Sequence, residues 1–291
     1  MKKQAKILAI ILALAFVLAV PGLATACGPR WQEKPYETIA QGAVSHYGYG
    51  VSDGTTLVIK AEVEWSDFWN VHTGGMLPQP PAPEVNFHHD MVLVAIAGTR
   101  ATTGYSISFE SLYERQRGHV TLANYREMAP GANCPVGQMT TNPYHIIVTE
   151  KSRTTTFHQL PTEVYMCFDT VDQGVYSGYP SDVDGDYFVI RDDAAWTDFW
   201  TVHKSFMFPQ PEMPEIDFGN EMVVCAFHGT YPNNGAGVSI QGISSYGDHW
   251  EVEVTRATGD GILPTVTNPY HIVKTLYTDL PVEFDVTEVE M

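Results

Sequence analysis

The chain has 291 residues, of which 44% are hydrophobic, 12% aromatic and 17% charged. This is enough apolar material for a packed core, so the composition excludes an intrinsically disordered chain. Asp and Glu total 34 against 16 Lys and Arg, which gives a formal net charge of -18. A surface this acidic repels phosphate groups and therefore excludes nucleic-acid binding.

The N-terminus has the pattern of an export signal. Three lysines precede an apolar run over residues 7–20, which is too short to span a bilayer well, and small residues follow it. Residues 1–26 are therefore predicted to be a signal peptide and residues 27–42 a polar tether. Two processing routes fit: cleavage after Ala24-Thr25-Ala26 for ordinary secretion, or a bacterial lipobox that leaves Cys27 as a lipidated N-terminus. Both predict an extracytoplasmic protein, either lipid-anchored to the cell membrane or secreted.

The next elements in the chain predict a strand, a helix and a buried strand. Leu57–Ile59 is a short apolar run typical of a strand. Trp65, Phe68, Trp69 and His72 then recur at helical spacing and form one apolar stripe. The Pro-rich segment that follows cannot be helical. The uninterrupted apolar run from Met91 to Ala97 suits a strand buried on both faces.

Most of this pattern occurs twice in the sequence. The segment that begins at Trp65 recurs at Trp196, shifted by 131 positions, with the same stripe, the same Pro-Gln-Pro and a second apolar run. Thr141-Asn142-Pro143-Tyr144-His145-Ile146 returns at residues 267–272. The sequence therefore predicts an α+β fold with two tandem homologous domains, residues 43–168 and 169–291. Each would be a mostly antiparallel sheet packed with one short amphipathic, Trp-rich helix.

These residues resemble the C-terminal domain family of the protease complex subunit PrcB. The resemblance rests on the Trp-x-x-x-Trp-x-x-His helix, the turn Thr103-Gly104-Tyr105 and the late Pro-Tyr segments in both halves. The second copy lacks the tyrosine in its glycine turn, Asn234-Gly235-Ala236-Gly237. The resemblance implies a non-enzymatic subunit that binds and stabilises a secreted protease, with no cofactor. The glycine turns, Thr103, Gly104, Tyr105, Asn234 and Gly235, are the predicted interface.

The tryptophans and cysteines are interpreted as structural residues. The tryptophans at i and i+4 are predicted core anchors, namely Trp65, Trp69, Trp196 and Trp200. The alternative is an exposed platform of a cell-wall or glycan-binding module. If Cys27 is lipidated and Cys225 is buried in its apolar run, Cys134 and Cys167 are the remaining pair for a disulfide.

Metal binding is the chemical alternative. His72 with His145, and His203 with His271, would have to converge with an acid nearby to serve a metal-dependent hydrolase. Asp182, Asp184 and Asp186 suggest calcium, but the glycine position does not match an EF-hand loop. No nucleophile, phosphate-loop or dinucleotide motif occurs. No metal site and no enzymatic activity are therefore predicted.

Overall fold

A computed structural model describes residues 30–115 and 119–290. The predicted signal peptide and the lipidation site Cys27 lie outside the described residues. Neither helix within them is long and apolar enough to span a membrane.

The described part of the first half contains nine strands and one helix. They are β1 (Gln32–Glu33), β2 (Glu37–Gly42), β3 (Thr55–Ile59), α1 (Glu62–His72), β4 (Asp90–Ile96), β5 (Ser106–Arg115), β6 (Val120–Pro130), β7 (Tyr144–Glu150), β8 (Thr154–Gln159) and β9 (Glu163–Tyr165). The second half adds β10 (Asp169–Gly174), β11 (Asp186–Ile190), α2 (Asp193–His203), β12 (Glu221–Phe227), β13 (Gly237–Ser245), β14 (Trp250–Thr258), β15 (Tyr270–Leu276) and β16 (Val282–Glu290).

These strands form three sheets. The N-terminal sheet has the order β2-β7-β4-β3 and the C-terminal sheet the order β10-β15-β12-β11, and every neighbouring pair in them is antiparallel. A third, shared sheet runs β1-β5-β6-β9-β13-β14-β16, with β8 also paired to β6. Strand β9 pairs with β6 of the first half and with β13 of the second, so the two halves meet in one sheet.

Each helix covers one face of a four-stranded sheet. The stripe predicted for α1 is buried, and it packs on Val92, Val94 and Ile96 of β4. The indole N–H groups fix the Pro-rich segment beyond the helix, because Trp65 Nε1 donates to the carbonyl of Pro83 at 2.9 Å. Helix α2 repeats the arrangement and gains an N-cap, in which the Asp192 carboxylate accepts the Ala195 N–H at 2.8 Å. Such a cap contributes about 1 kcal/mol.

Strand β4 is buried on both faces, as its uninterrupted apolar run predicted. Alternate residues point to opposite sides of a strand. Val92 and Val94 face α1, while Met91, Leu93 and Ala95 face the shared sheet. Strand β12 has the same arrangement, with Val223 on the helix side and Val224 on the side of the shared sheet. The core of each half is therefore a stack of helix, four-stranded sheet and shared sheet.

The prediction of an α+β fold with two tandem domains is wrong. The described residues are mostly β, with two helices of 11 residues each beside sixteen strands. The error arose because the period-2 segments extend into long strands that form a sheet of their own, with the parallel pairs β6–β8, β6–β9 and β14–β16. Strand β9 then pairs with β13 and joins the two halves in that sheet. The segment predicted as a polar tether, residues 27–42, also contains β1 and β2, which pair with β5 and β7.

Candidate functional site

The first predicted interface turn connects β4 to β5 and is held from both sides. Thr103 exchanges two hydrogen bonds with Gly137, from its N–H to the Gly137 carbonyl at 3.0 Å and from the Gly137 N–H to its Oγ1 at 2.7 Å. Gly104 has a φ of 96°, and a Cβ at this position would lie 2.7 Å from Tyr165 Oη. Only glycine suits this conformation at so close an approach. The Arg100 guanidinium lies over the Tyr105 ring, with its Cζ atom 5.8 Å from the centre of that ring.

The second predicted interface turn lies elsewhere, against the connection between β14 and β15. Asn234 Oδ1 accepts the Leu263 N–H at 3.0 Å, and a Cβ on Gly235 would lie 2.2 Å from the Gly259 carbonyl oxygen. Beside this turn the structure exposes Ile262 by 92% and Leu263 by 56%. Val266 is also exposed, and we call Ile262, Leu263 and Val266 the apolar loop. Sequence reasoning missed it, although an apolar pair between Gly261 and Pro264 was the available signal.

The four tryptophans of the helices lie in the core. Trp65, Trp69, Trp196 and Trp200 are all buried, and each indole N–H donates to a carbonyl of the following Pro-rich segment. A glycan platform needs exposed aromatic faces, and these side chains do not offer them.

The histidines that are repeated in the two halves form hydrogen bonds within the fold. His145 Nδ1 accepts the N–H of Phe109 at 2.9 Å, so its Nε2 carries the proton and donates to Thr38 Oγ1 at 2.9 Å. His72 Nδ1 bonds instead to Ser45 Oγ at 2.8 Å. Burial, and to a smaller extent the charge of His46, lowers the pKa of His72 to about 4. The two imidazoles thus have separate partners and do not form a pair of metal ligands.

The second half contains a buried charge network around Asp172 that has no counterpart among the described residues of the first half. His203 bonds Ser177 Oγ through Nδ1 at 2.7 Å and Asp172 Oδ2 through Nε2 at 2.9 Å. Lys204 also pairs with Asp172 and donates to Tyr270 Oη at 3.0 Å. Burial disfavours the Asp172 carboxylate, but the hydrogen bonds from His203 and Lys204 outweigh it and lower its pKa to about 2. Burial lowers the pKa of His203, so this imidazole is neutral near pH 7 and donates to the carboxylate.

The acidic turn before β11 uses its carboxylates for its own backbone. Asp186 Oδ2 accepts the N–H of Asp182 at 2.9 Å, and Asp182 Oδ1 accepts the N–H of Val183 at 2.8 Å. Gly185 has a φ of 88°, as a tight turn requires. Within residues 30–115 and 119–290, no group of three or more His, Cys, Asp or Glu side chains is arranged to hold a metal ion.

A disulfide lies where the first half of the chain ends. Cys134, in the loop after β6, and Cys167, just before β10, are joined in a disulfide with their Cα atoms 5.1 Å apart. Asn133 reinforces the junction through hydrogen bonds to the backbone of Cys167. Cys225 is a fully buried thiol in the middle of β12.

One comparison with known proteins found a match. The family model of the PrcB C-terminal region matches residues 91–150, which span β4 to β7 and include the turn at Thr103-Gly104-Tyr105. No curated protein and no solved structure matches the chain.

Proposed function

We propose that this chain is a non-enzymatic binding and assembly protein that acts outside the cytoplasm on a protein partner, in the first instance a secreted protease. The observation that carries the proposal is the match of residues 91–150 to the PrcB C-terminal family. The resemblance to this family implies a subunit that binds and stabilises a secreted protease. Binding of such a subunit stabilises the folded partner by mass action, by about 2.7 kcal/mol at a hundredfold excess over Kd.

We further propose that residues 169–291 are a second copy of the PrcB-like sequence of residues 43–168, joined to the first copy through the shared sheet and not a separate tandem domain. The repeated sequence supports this, and so does the identical strand order of the N-terminal and C-terminal sheets. Two similar units could engage two sites on one partner, which raises the effective concentration of the second contact without any new chemistry.

The proposed contact surface includes the two glycine turns and the apolar loop. A side chain as exposed as Ile262 gains about 2 kcal/mol when a partner buries it, because apolar surface leaves water. Loops held on a rigid scaffold are common binding elements. The export pattern of residues 1–26 and the lipobox at Cys27 support location outside the cytoplasm, with a lipid anchor as the proposed membrane attachment.

Affinity purification of the tagged full chain from its native host tests the proposal. We expect a stoichiometric partner, lost or strongly reduced with the double variant I262D/L263D. The control is V63D, because Val63 is also well exposed, at 72%, but lies on α1. A chain that purifies alone and monodisperse, or a partner that I262D/L263D retains in full, would contradict the proposal as stated.

A further inference from the structure

A cavity of about 350 Å³ opens at the edge of the N-terminal sheet and contains three carboxylates. They belong to Glu37 on β2, Asp90 at the start of β4 and Glu150 at the end of β7. Asp90 and Glu150 lie directly opposite each other on neighbouring strands, where like charges destabilise the pair. Within the described parts of the chain, none of the three carboxylates forms an ion pair.

The nearby lysine does not neutralise this cavity. Lys34 is buried, and its ammonium group donates to Thr121 Oγ1 at 3.2 Å and lies 3.8 Å from Glu114. Burial lowers the pKa of Lys34, although Glu114 and Glu150 oppose the shift. The hydrogen-bond acceptor Thr121 and the nearest carboxylate Glu114 are not among the residues that line the cavity, and Lys34 forms no ion pair with the three carboxylates that are.

The C-terminal sheet has a cavity at the same place. Its strands pair in the same register, and an equivalent hydrogen bond closes each cavity wall: Thr149 Oγ1 donates to the Pro35 carbonyl at 2.8 Å and Thr275 Oγ1 to the Cys167 carbonyl at 2.9 Å. The corresponding residues are Glu37 and Asp169, Asp90 and Glu221, Val148 and Lys274, and Glu150 and Leu276.

The second cavity shows what these carboxylates accommodate. Lys274 reaches from β15 to Glu221 Oε1 at 2.8 Å, and the remaining space is about 170 Å³. Asn133 and Pro135, from the loop that the disulfide fastens, also line it. An ammonium group and a covering peptide loop therefore complete the C-terminal cavity. The N-terminal cavity has Val148 in place of the lysine and one additional carboxylate.

We propose that the N-terminal cavity binds a lysine side chain carried on a loop of the protein partner. The occupant follows from charge complementarity and from the equivalent cavity, where an ammonium group and a peptide loop take these positions. The inference rests on the proposed function, because the partner supplies the cation.

The test uses a defined probe and a variant that rebuilds the C-terminal arrangement. The probe is the peptide acetyl-Gly-Pro-Lys-Asn-Gly-amide, and its analogue with norleucine for lysine keeps the length but not the charge. Binding to the full chain is followed by NMR titration. The variant V148K/E150L supplies an internal ammonium group and removes one carboxylate. The control E62L/V63K makes the same change of composition on the exposed surface of α1.

We expect the lysine peptide to bind the natural chain and the control at least tenfold more tightly than the norleucine peptide. The substitutions V148K/E150L should weaken binding of the lysine peptide at least tenfold. The substitution E150Q, which keeps the size of the side chain, should weaken that binding at least threefold. Equal binding of the two peptides, or unchanged binding to V148K/E150L, would overturn the inference. Saturable binding of Ca²⁺ that displaces the peptide would overturn it in favour of a metal site.

Recovery of the natural partner separates this inference from the proposed function. If V148K/E150L recovers as much partner as the natural chain does, the inference fails and the proposed function stands. If neither recovers a partner, the proposed function fails, while selective peptide binding still supports a lysine-binding cavity.

Discussion

Acidification should destabilise this fold through His72, a buried imidazole at the end of α1. Its pKa is about 4, below the ordinary value of 6.5, because burial disfavours the charged ring. The unfolded chain therefore takes up a proton below pH 6.5 that the folded chain refuses until about pH 4. The contribution of neutral His72 to the free energy of unfolding is complete above pH 6.5 and is lost as the pH falls toward 4. A difference of this size corresponds to about 3 kcal/mol, at about 1.4 kcal/mol per pH unit.

Urea unfolding of the full chain between pH 7.5 and 4.5 measures this contribution. H72F removes the titrating group and keeps a ring beside Phe68, whose centre lies 5.5 Å from that of His72. The other buried histidines titrate in both proteins, so the difference isolates this one. We expect the natural chain to lose about 2–3 kcal/mol more than H72F between pH 6.5 and 4.5. F68L loosens the same core and should leave the pH slope unchanged. If H72F and the natural chain lose the same free energy of unfolding between pH 6.5 and 4.5, within about 0.5 kcal/mol, the reasoning is refuted.

Three further predictions concern the packing of the fold, and each is measured by urea unfolding at pH 7.5. G104A should lower the free energy of unfolding by about 1–2 kcal/mol, because alanine is strained at a φ of 96° and its Cβ meets Tyr165 Oη. The control G237A has open space around the new Cβ and should lower it by less than half as much. C134S/C167S opens a loop of 33 residues and should cost about 3–4 kcal/mol, and an unchanged midpoint would show that the disulfide does not constrain the chain. W65F leaves the Pro83 carbonyl without its 2.9 Å hydrogen bond and should cost about 1–2 kcal/mol; a cost near zero would contradict the anchoring role of the indole.

The sequence patterns that succeeded were local ones. The stripe of Trp65, Phe68, Trp69 and His72 specifies a helix face, because residues three and four apart lie on the same side of a helix. The apolar run of β4 specifies burial on both faces, since successive side chains point to opposite sides of a strand. Both interpretations need only the residues of one element.

The patterns that failed depend on partners far away in the chain. Strand β9 has three residues, and nothing in Glu163–Tyr165 indicates that it bridges β6 and β13. The parallel pairing of β14 with β16 likewise leaves no local signal. The N-terminal cavity combines carboxylates from three strands, so its charge becomes visible only when the register is known.

The central claim is that this chain binds a specific protein partner through its exposed loops. Photo-crosslinking in the native envelope, with p-benzoylphenylalanine at position 263 and separately at position 63, tests it most directly. Both positions are exposed, but only Leu263 belongs to the apolar loop. We predict one dominant crosslinked partner from position 263 that is absent from position 63. No crosslink at position 263, or the same set of proteins from both positions, would contradict the claim.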